Sequence, residues 1–263
     1  MMRSGSPEAL ALLETLKPPP PVTGAGGNLM PLSARVTAEG AEGSIDAWRA
    51  GSGPAILFVH GWGDTHRVWR RFVQAALADG KAVILMDLPG HGISGGAFTT
   101  YHNAGEAILD VCRATGPVWS VVAHSFGCIA AARAIARGLG IEAAALIAPP
   151  VPGETSQWIT QWRAAGRSEA VIREVEDLYR DRTGVSLTPF DLRRALSPWE
   201  GDVFLAASSE DKVTPIEPIL DLAENLPAAT FDGRFRSGHR DMTDDPDVIA
   251  AVLSYLGHPR GGY

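Results

Sequence analysis

The chain has 263 residues, of which 45% are apolar and 20% charged, and its formal net charge at pH 7 is −7. This composition is typical of a water-soluble globular protein with a sizeable core and excludes a disordered or fibrous chain. The negative charge excludes a general affinity for nucleic acid or anionic lipid, because either ligand requires a basic patch. Cys112 and Cys128 lack the spacing of a metal or redox site, and we expect both to be buried free thiols.

The first residues contain a short apolar patch at 9–13 that is bounded by Glu8 and Glu14. The patch is too short and too close to charges to be the apolar region of a signal peptide. No apolar run in the sequence is long enough to span a bilayer. We therefore expect a cytoplasmic protein that does not bind membranes.

A change in composition separates the amino terminus from the rest of the chain. Four prolines at 18–21 precede a glycine-rich stretch at 24–27, and such segments resist helix and strand formation. We predict that residues 1–31 form a flexible arm and that residues 32–263 form a single domain.

An alternation of strand and helix patterns follows the arm. Segments at 34–38 and 44–49 predict a hairpin. Apolar, β-rich runs predict strands at 55–60, 82–87, 118–124, 143–148, 203–207 and 230–235, and helical patterns lie at 67–79, 101–115, 126–137, 218–225 and 245–256. Near-continuous hydrophobicity is typical of parallel strands that helices cover on both faces. The sequence therefore predicts an α/β fold with a doubly wound, mostly parallel sheet.

The stretch between residues 149 and 199 interrupts this alternation. It carries two amphipathic helical patterns, the first of which contains Trp158, Ile159 and Trp162. Ligands of parallel α/β sheets bind at the carboxyl ends of the strands, where this insertion begins. We therefore predict a short helical cap at about residues 150–198.

The pentapeptide AHSFG at 123–127 lies between a strand pattern and a helix pattern. A serine in a tight strand-to-helix turn needs small residues two positions to either side, and Ala123 and Gly127 meet that need. The segment resembles the nucleophile elbow, G-x-S-x-G, of the α/β-hydrolase superfamily, with alanine in place of the first glycine. A serine between small residues is also common in ordinary loops, but the strand-turn-helix context favours Ser125 as a nucleophile.

A nucleophilic serine needs a base, and that base needs an anionic partner. In the superfamily that this chain resembles, these residues follow the serine in the order acid, then histidine. Asp211 comes just after the strand pattern that ends near residue 207, and His239 comes just after the last strand pattern. The resemblance therefore implies that Asp211 orients the base and that His239 is the general base.

Other acids and histidines fit these roles less well. Glu210 is expected to point away from the site, Asp202 precedes its strand, and Asp232 lies within or at the edge of a strand. His124 lies on the elbow itself, so its ring is not expected to face the serine hydroxyl. We expect solvated or hydrogen-bonded structural roles for four further histidines, His66, His91, His102 and His258.

Two more loops carry the resemblance. The segment FVHGWG at 58–63 is similar to the oxyanion loop H-G-x-G of the superfamily, which implies that the backbone N–H groups of Trp62 and Phe126 stabilise an oxyanion. The segment DLPGHGIS at 87–94 is similar to the loop D-x-x-G-x-G-x-S. We interpret this second loop as structural, with Asp87 outside the chemistry and Ser94 bonded to backbone groups.

Together these motifs identify the chain as a member of the α/β-hydrolase superfamily, similar to serine carboxylesterases and lipases. The resemblance extends from about residue 32 to the last helix, and the serine separates the chain from haloalkane dehalogenases and epoxide hydrolases, which use aspartate there. It implies hydrolysis of a small-molecule ester through an acyl-enzyme, without a cofactor or metal. A thioesterase, a carbon–carbon bond hydrolase, a perhydrolase and a non-catalytic ligand-binding protein are the alternatives, and the sequence leaves the oligomeric state open.

Five apolar side chains are candidates for the lining of an acyl pocket: Trp62, Phe126, Trp158, Ile159 and Trp162. The brevity of the cap favours small to medium acyl groups. Tryptophans one helical turn apart are equally typical of a helix that packs onto a core, so both interpretations stand for the pair in the cap.

Overall fold

A computed structural model describes residues 4–19, 34–40, 43–151 and 155–257. The described residues form one eight-stranded sheet, whose strands are β1 (Ala34–Gly40), β2 (Gly43–Ala50), β3 (Ala55–Val59), β4 (Ala82–Met86), β5 (Ser120–His124), β6 (Ala143–Ile147), β7 (Asp202–Ser208) and β8 (Ala229–Phe235). Their order across the sheet is β1-β2-β4-β3-β5-β6-β7-β8. β1 pairs antiparallel with β2 and β2 with β4, whereas all later neighbours pair in parallel.

The helices of the described ranges are α1 (Pro7–Glu14), α2 (Arg70–Ala78), α3 (Tyr101–Thr115), α4 (Phe126–Ala136), α5 (Gln157–Ala164), α6 (Glu169–Thr183), α7 (Leu192–Leu196), α8 (Ile216–Glu224) and α9 (Pro246–Gly257). Local sequence explains several of their ends. Thr100 and Asn103 form a reciprocal capping box that starts α3, and Gly184 ends α6 with a φ of 73°. None of these helices combines the length and apolar character needed to cross a bilayer.

Two hydrophobic clusters cover the two faces of the sheet. One joins the sheet to α3, α4, α7 and α8, and the other joins it to α2 and α9. All residues of β3, β4, β5 and β6 are buried, which explains why these strands are apolar except for Ser120 and His124 of β5. On the second face, the rings of Phe58, Trp69 and Phe72 lie 5.4–5.9 Å apart. The predicted doubly wound, mostly parallel α/β sheet is confirmed.

The amino-terminal segment differs from the flexible arm predicted at 1–31. Residues 7–14 form α1, which begins at the N-cap Ser6 and buries Leu12 and Leu13. A helix this short has little stability alone and needs tertiary contacts, which the sequence pattern did not reveal. The other residues of the predicted arm, 1–3 and 20–31, lie outside the described residues, as do 152–154 and 258–263.

Between β6 and β7, where the sequence predicts a cap at 150–198, the chain forms α5, α6 and α7. The first two of these helices enclose a third hydrophobic cluster together with α1 and Phe98. This third cluster lies apart from the two sheet clusters. The amino-terminal helix therefore shares one core with α5 and α6.

Both cysteines are free thiols. Cys128 is buried, as predicted, whereas Cys112 is only partly buried because it lies near the end of α3. Burial raises the pKa of Cys112 to about 12 and raises that of Cys128 as well. Both sulfurs therefore stay protonated at neutral pH.

Candidate active site

Ser125 lies between the end of β5 and the start of α4, with a φ of 51° and a ψ of −124°. A positive φ is costly for a residue with a side chain and marks a strained turn. The turn is fixed by a hydrogen bond from the Ser125 N–H to the carbonyl of Ile147 at 3.0 Å. Gly127 is required two residues later, because a methyl group there would lie 2.6 Å from the His60 carbonyl oxygen.

Three side chains from separate loops form a chain of hydrogen bonds. The Oγ of Ser125 lies 2.9 Å from Nε2 of His239, and Nδ1 of His239 lies 2.7 Å from Oδ2 of Asp211. The Asp211 side chain is 1% exposed and the His239 side chain 14% exposed. The structure thus brings together the three residues that the sequence singled out as nucleophile, base and acid.

Asp211 is held by donors that favour its charged form. Its carboxylate accepts hydrogen bonds from the backbone N–H groups of Val213 at 2.7 Å and Thr214 at 3.0 Å, and from the Thr214 hydroxyl at 2.6 Å. Burial alone would raise the pKa of Asp211, but the hydrogen bonds from His239, Thr214 and Val213 outweigh it and lower the pKa to about 2. Asp211 is therefore a carboxylate at neutral pH.

His124 lies next to the hydrogen-bonded chain of Ser125, His239 and Asp211 rather than within it. Its Nε2 is 2.9 Å from the backbone carbonyl oxygen of His239, while its Nδ1 is buried without a hydrogen-bond partner among the described residues. Burial, with a smaller contribution from His239, lowers the pKa of His124 to about 3. The ring is therefore neutral, and its Nε2–H donates to the loop that carries His239.

The predicted oxyanion loop runs close beside the serine. A methyl group on Gly61 would lie 3.1 Å from Cβ of Ser125, and the rings of Trp62 and Phe126 are 5.7 Å apart, edge to face. In the part of the chain that the structure describes, no acceptor is bonded to the backbone N–H of Trp62 or Phe126. As far as the described residues show, both groups are therefore available to donate to a ligand.

Two buried histidines attach this loop to the segment at 87–94. His91 accepts at Nε2 from the Gly63 N–H, and His60 accepts at Nε2 from the Leu88 N–H, both at 3.0 Å. Acceptance at Nε2 places the ring proton on Nδ1, which in each case faces a backbone carbonyl. Burial lowers the pKa of His60 to about 4 and also lowers that of His91, so both rings are neutral.

The carboxylate of Asp87 accepts hydrogen bonds from its own loop and from the loop that carries His66. Its carboxylate accepts from the backbone N–H of His66 at 2.8 Å and the His66 ring at 2.9 Å, and from the Ile93 N–H at 3.2 Å. Ser94 donates its hydroxyl to the Asp87 carbonyl at 2.7 Å. Burial alone would raise the pKa of Asp87, but the hydrogen bonds and the charge of His66 outweigh burial and lower the pKa. The carboxylate therefore stays ionised. These contacts support the structural interpretation of the loop.

The five candidate pocket residues separate into two groups. The ring of Trp158 lies 6.1 Å from that of Trp62, which in turn contacts Phe126. Ile159 and Trp162, in contrast, are buried in the cluster between α5, α6 and α1. The structure therefore brings Trp62, Phe126 and Trp158 together and places Ile159 and Trp162 behind them.

The structure adds residues near the site that sequence analysis did not select. Thr214 fixes Asp211, and the spacing Asp-x-x-Thr, typical of a side-chain turn, is a signal that could have indicated it. Asp64, on the oxyanion loop, pairs with Arg240 at 3.5 Å and so connects this loop to the one that carries His239. Among the described residues, no group of three or more His, Cys, Asp or Glu side chains is arranged to hold a metal ion.

The comparison with protein families is consistent with this geometry. The model of the alpha/beta hydrolase family matches residues 56–252, which include Ser125, Asp211 and His239. The chain belongs to the α/β hydrolase family. The motifs read from the sequence thus led to the correct superfamily, and the strand order of the sheet agrees with it.

Curated relatives match only part of the chain. A segment of 91 residues is 34% identical to an epoxide hydrolase of Caballeronia sordidicola and covers 32% of this chain and 27% of the relative. A segment of 86 residues is 42% identical to an uncharacterised protein of Mycobacterium tuberculosis and covers 30% of this chain and 24% of that protein. The matches thus span about a quarter of the length of these relatives.

Solved structures match nearly the whole fold. The esterase Pf2001 of Pyrococcus furiosus superposes with a TM-score of 0.70 over 93% of this chain and 97% of the esterase, at 18% identity. An esterase of Exiguobacterium antarcticum gives a TM-score of 0.68 over 86% of this chain and 100% of that chain, at 17% identity. At such identities the likeness shows the α/β-hydrolase fold alone.

Proposed function

We propose that this chain is a serine hydrolase that cleaves small-molecule carboxylic esters with small to medium acyl groups. The observation that supports this most is the chain of hydrogen bonds from Ser125 through His239 to the ionised Asp211. A serine with a positive φ at the start of a helix, next to a base and an acid, has the arrangement of an activated nucleophile. The esterase neighbours are consistent with the proposal.

In the acylation step, Oγ of Ser125 attacks the ester carbonyl carbon while Nε2 of His239 accepts the hydroxyl proton. Asp211, bonded to Nδ1, stabilises the imidazolium that forms. When the tetrahedral intermediate collapses, the carbon–oxygen bond of the ester breaks and His239 donates its proton to the departing alcohol. The acyl group is then bonded to Ser125.

Deacylation repeats these steps with water. His239 takes a proton from a water molecule that attacks the acyl-enzyme, and the proton then returns to Oγ of Ser125 as the acid leaves. In both steps the backbone N–H groups of Trp62 and Phe126 would donate to the oxyanion, an interaction whose loss typically costs about 10²–10³-fold in rate. Only the neutral imidazole of His239 can accept this proton.

The aromatic rings beside the serine suggest the kind of substrate. Trp62, Phe126 and Trp158 form an apolar surface that would contact the acyl chain. In this proposal Ile159 and Trp162 contribute indirectly, because they fix the helix that carries Trp158. The inserted segment between β6 and β7 is short, which favours small to medium acyl groups.

The similarity to an epoxide hydrolase does not imply that this chain hydrolyses epoxides. Epoxide hydrolases of this superfamily use aspartate at the nucleophile position, where this chain has Ser125. Paired assays of ester and thioester substrates would also distinguish the proposed esterase from a thioesterase.

Loss of turnover in Ser125→Ala tests the proposal. We expect hydrolysis of p-nitrophenyl butyrate to fall by more than about a thousandfold while the fold, measured by circular dichroism, is unchanged. Ser209→Ala is a matched control, because Ser209 is an exposed serine outside the hydrogen-bonded chain. Substantial esterase activity in Ser125→Ala would contradict the assignment.

A further inference from the structure

We propose that the amino-terminal segment, residues 4–19, forms a wall of the active-site entrance and limits the size of ester that reaches Ser125. This inference rests on the proposed ester hydrolase function and assigns a specificity-determining role to a segment outside the matched family region of 56–252. Its basis is that the segment shares a hydrophobic cluster with the helix that carries Trp158 and lies against the loop that carries Trp62.

Apolar contacts hold the segment on the inserted helices. Its buried side chains are Ala9, Leu12, Leu13 and Leu16. They share a cluster with Val175, Leu178 and Tyr179 of α6. Such interdigitated packing fixes the position of α1 relative to α6.

Polar contacts reinforce this attachment at the start of the segment. Glu174 of α6 accepts from the backbone N–H of Ser6 at 2.7 Å and from the Ser6 hydroxyl at 2.6 Å. Arg167 pairs with Glu8 at 2.9 Å. The carboxylate of Glu174 thus bonds both polar groups of the residue that caps α1, which specifies where the helix begins.

The same cluster supports the aromatic surface from behind. Ile159 and Trp162 of α5 pack into the cluster that contains Leu13, while Trp158, on the same helix, lies 6.1 Å from Trp62. Removing α1 would leave one side of this cluster without its partner. The position of Trp158 relative to Trp62 therefore depends on the amino-terminal helix.

Beyond α1, the chain continues toward the oxyanion loop. A methyl group on Gly90 would lie 3.0 Å from Cγ of Pro18, and one on Gly63 would lie 3.0 Å from Cγ of Pro19. The same methyl group on Gly63 would also lie 3.4 Å from Nη2 of Arg240, the residue after His239. Pro19 and Arg240 therefore converge on Gly63, beside the predicted oxyanion donor of Trp62.

Proline is suited to a fixed wall because its ring locks φ and leaves the chain little freedom to move aside. The rings of Pro18 and Pro19 lie against the backbone at Gly90 and Gly63, and these glycines have no side chains that would separate the rings from it. A longer substrate that leaves the serine in this direction would meet the rings. Shortening them should widen the entrance without altering the triad.

The test compares four proteins: the wild type, the double variant Pro18→Gly/Pro19→Gly, a variant that lacks residues 2–19, and Pro227→Gly. Pro227 is an exposed proline in the turn before β8, at the amino ends of the strands and so at the end of the sheet opposite the site, and it controls for general effects of proline removal. The substrates are p-nitrophenyl esters from acetate to laurate and alkyl butyrates of increasing alcohol size. Circular dichroism monitors folding.

We expect the double variant to raise the ratio of kcat/KM for octanoate over acetate, or for large over small alcohols, by roughly tenfold. The deletion should raise it at least as much, and Pro227→Gly should leave it unchanged. If the double variant is folded and active but its kcat/KM ratio is unchanged in both substrate series, the proposed wall is refuted. This holds whether or not the deletion variant folds. Failure of the proposed function would give a different result, because the wild type would then hydrolyse none of the esters. The proposed wall would be refuted as well.

Discussion

The Nε2 of His124 donates a hydrogen bond to the backbone carbonyl oxygen of His239 across 2.9 Å, and the two rings lie 4.8 Å apart. His124 directly precedes Ser125, so this bond connects the turn at Ser125 to the loop that carries His239, the proposed general base. The two residues are 115 positions apart in the chain. The distance between Ser125 and His239 therefore depends on a third side chain that takes no part in the proton transfers.

Replacement of His124 should reduce turnover through misplacement of His239. We expect His124→Leu to lower kcat by about 10–100-fold with little change in KM, because small displacements of a catalytic group cost that much. His124→Gln keeps an N–H donor near the Nε2 position and should recover most of the loss. Steady-state kinetics on p-nitrophenyl butyrate measure this. Equal losses in the two variants would mean that the hydrogen bond does not position His239.

Acid should destabilise the protein through its buried neutral histidines. The folded-state pKa of His60 is about 4 and that of His124 about 3, both below the ordinary value of 6.5, so the unfolded chain binds protons first as the pH falls. Their stabilising contribution is complete above about pH 6.5 and is lost progressively below it, by on the order of 3 kcal/mol for each ring. Urea unfolding of the wild type and His124→Gln between about pH 7 and pH 4 tests this. Parallel pH profiles would contradict it.

Asp211 should matter for turnover far more than its neighbour Glu210. Asp211→Asn removes the charge that stabilises the imidazolium and favours the wrong ring tautomer, so we expect kcat to fall by about 10³–10⁴-fold. Glu210→Gln is the matched control, because Glu210 is exposed and should retain nearly full activity. If the two variants had similar kcat values, Asp211 would not be the orienting acid.

The charge on Asp211 should also contribute to stability in a pH window distinct from that of the histidines. Its folded-state pKa of about 2 is below the ordinary 3.8, so its contribution is present above about pH 4 and is lost as the pH falls toward 2. The difference in unfolding free energy between the wild type and Asp211→Asn should therefore shrink only in that range. A difference that already disappears between about pH 6 and pH 5 would exclude Asp211 as its source.

Trp158 and Trp162, both on α5, should respond differently to truncation. Trp158→Ala should raise KM for longer acyl esters because its ring adjoins Trp62, with a modest effect on stability. Trp162 is 6% exposed within the cluster of α1 and α6, so Trp162→Ala should lower the unfolding free energy by about 3–5 kcal/mol. Denaturant unfolding and acyl-series kinetics separate the two effects. An unchanged stability in Trp162→Ala would refute the packing role.

Much of the site was predictable because its signals are local. The strands at 55–59 and 120–124 are rich in apolar residues since both faces of the sheet are covered, and the serine follows the second strand directly. A strained turn also demands small neighbours, so Ala123 and Gly127 were informative by type alone. Each of these features depends on a few adjacent residues, which a single sequence displays.

The remaining features depend on contacts between distant parts of the chain. α1 is short and precedes a proline run, so its sequence favours a loop, and packing against α6 stabilises it as a helix. The different positions of Trp158 and Ile159 follow from a rotation of about 100° per residue in a helix, whose absolute direction the sequence does not fix. The hydrogen bond from His124 to a backbone carbonyl likewise leaves no trace in residue types.

Covalent labelling with a fluorophosphonate probe, followed by mapping of the modified peptide, tests whether Ser125 is an activated nucleophile. We expect modification at Ser125 in the wild type, none at that position in Ser125→Ala, and much slower modification in His239→Ala. The absence of labelling in folded wild-type protein, or labelling at another residue that persists in Ser125→Ala, would contradict the assignment of Ser125, His239 and Asp211 as a catalytic triad.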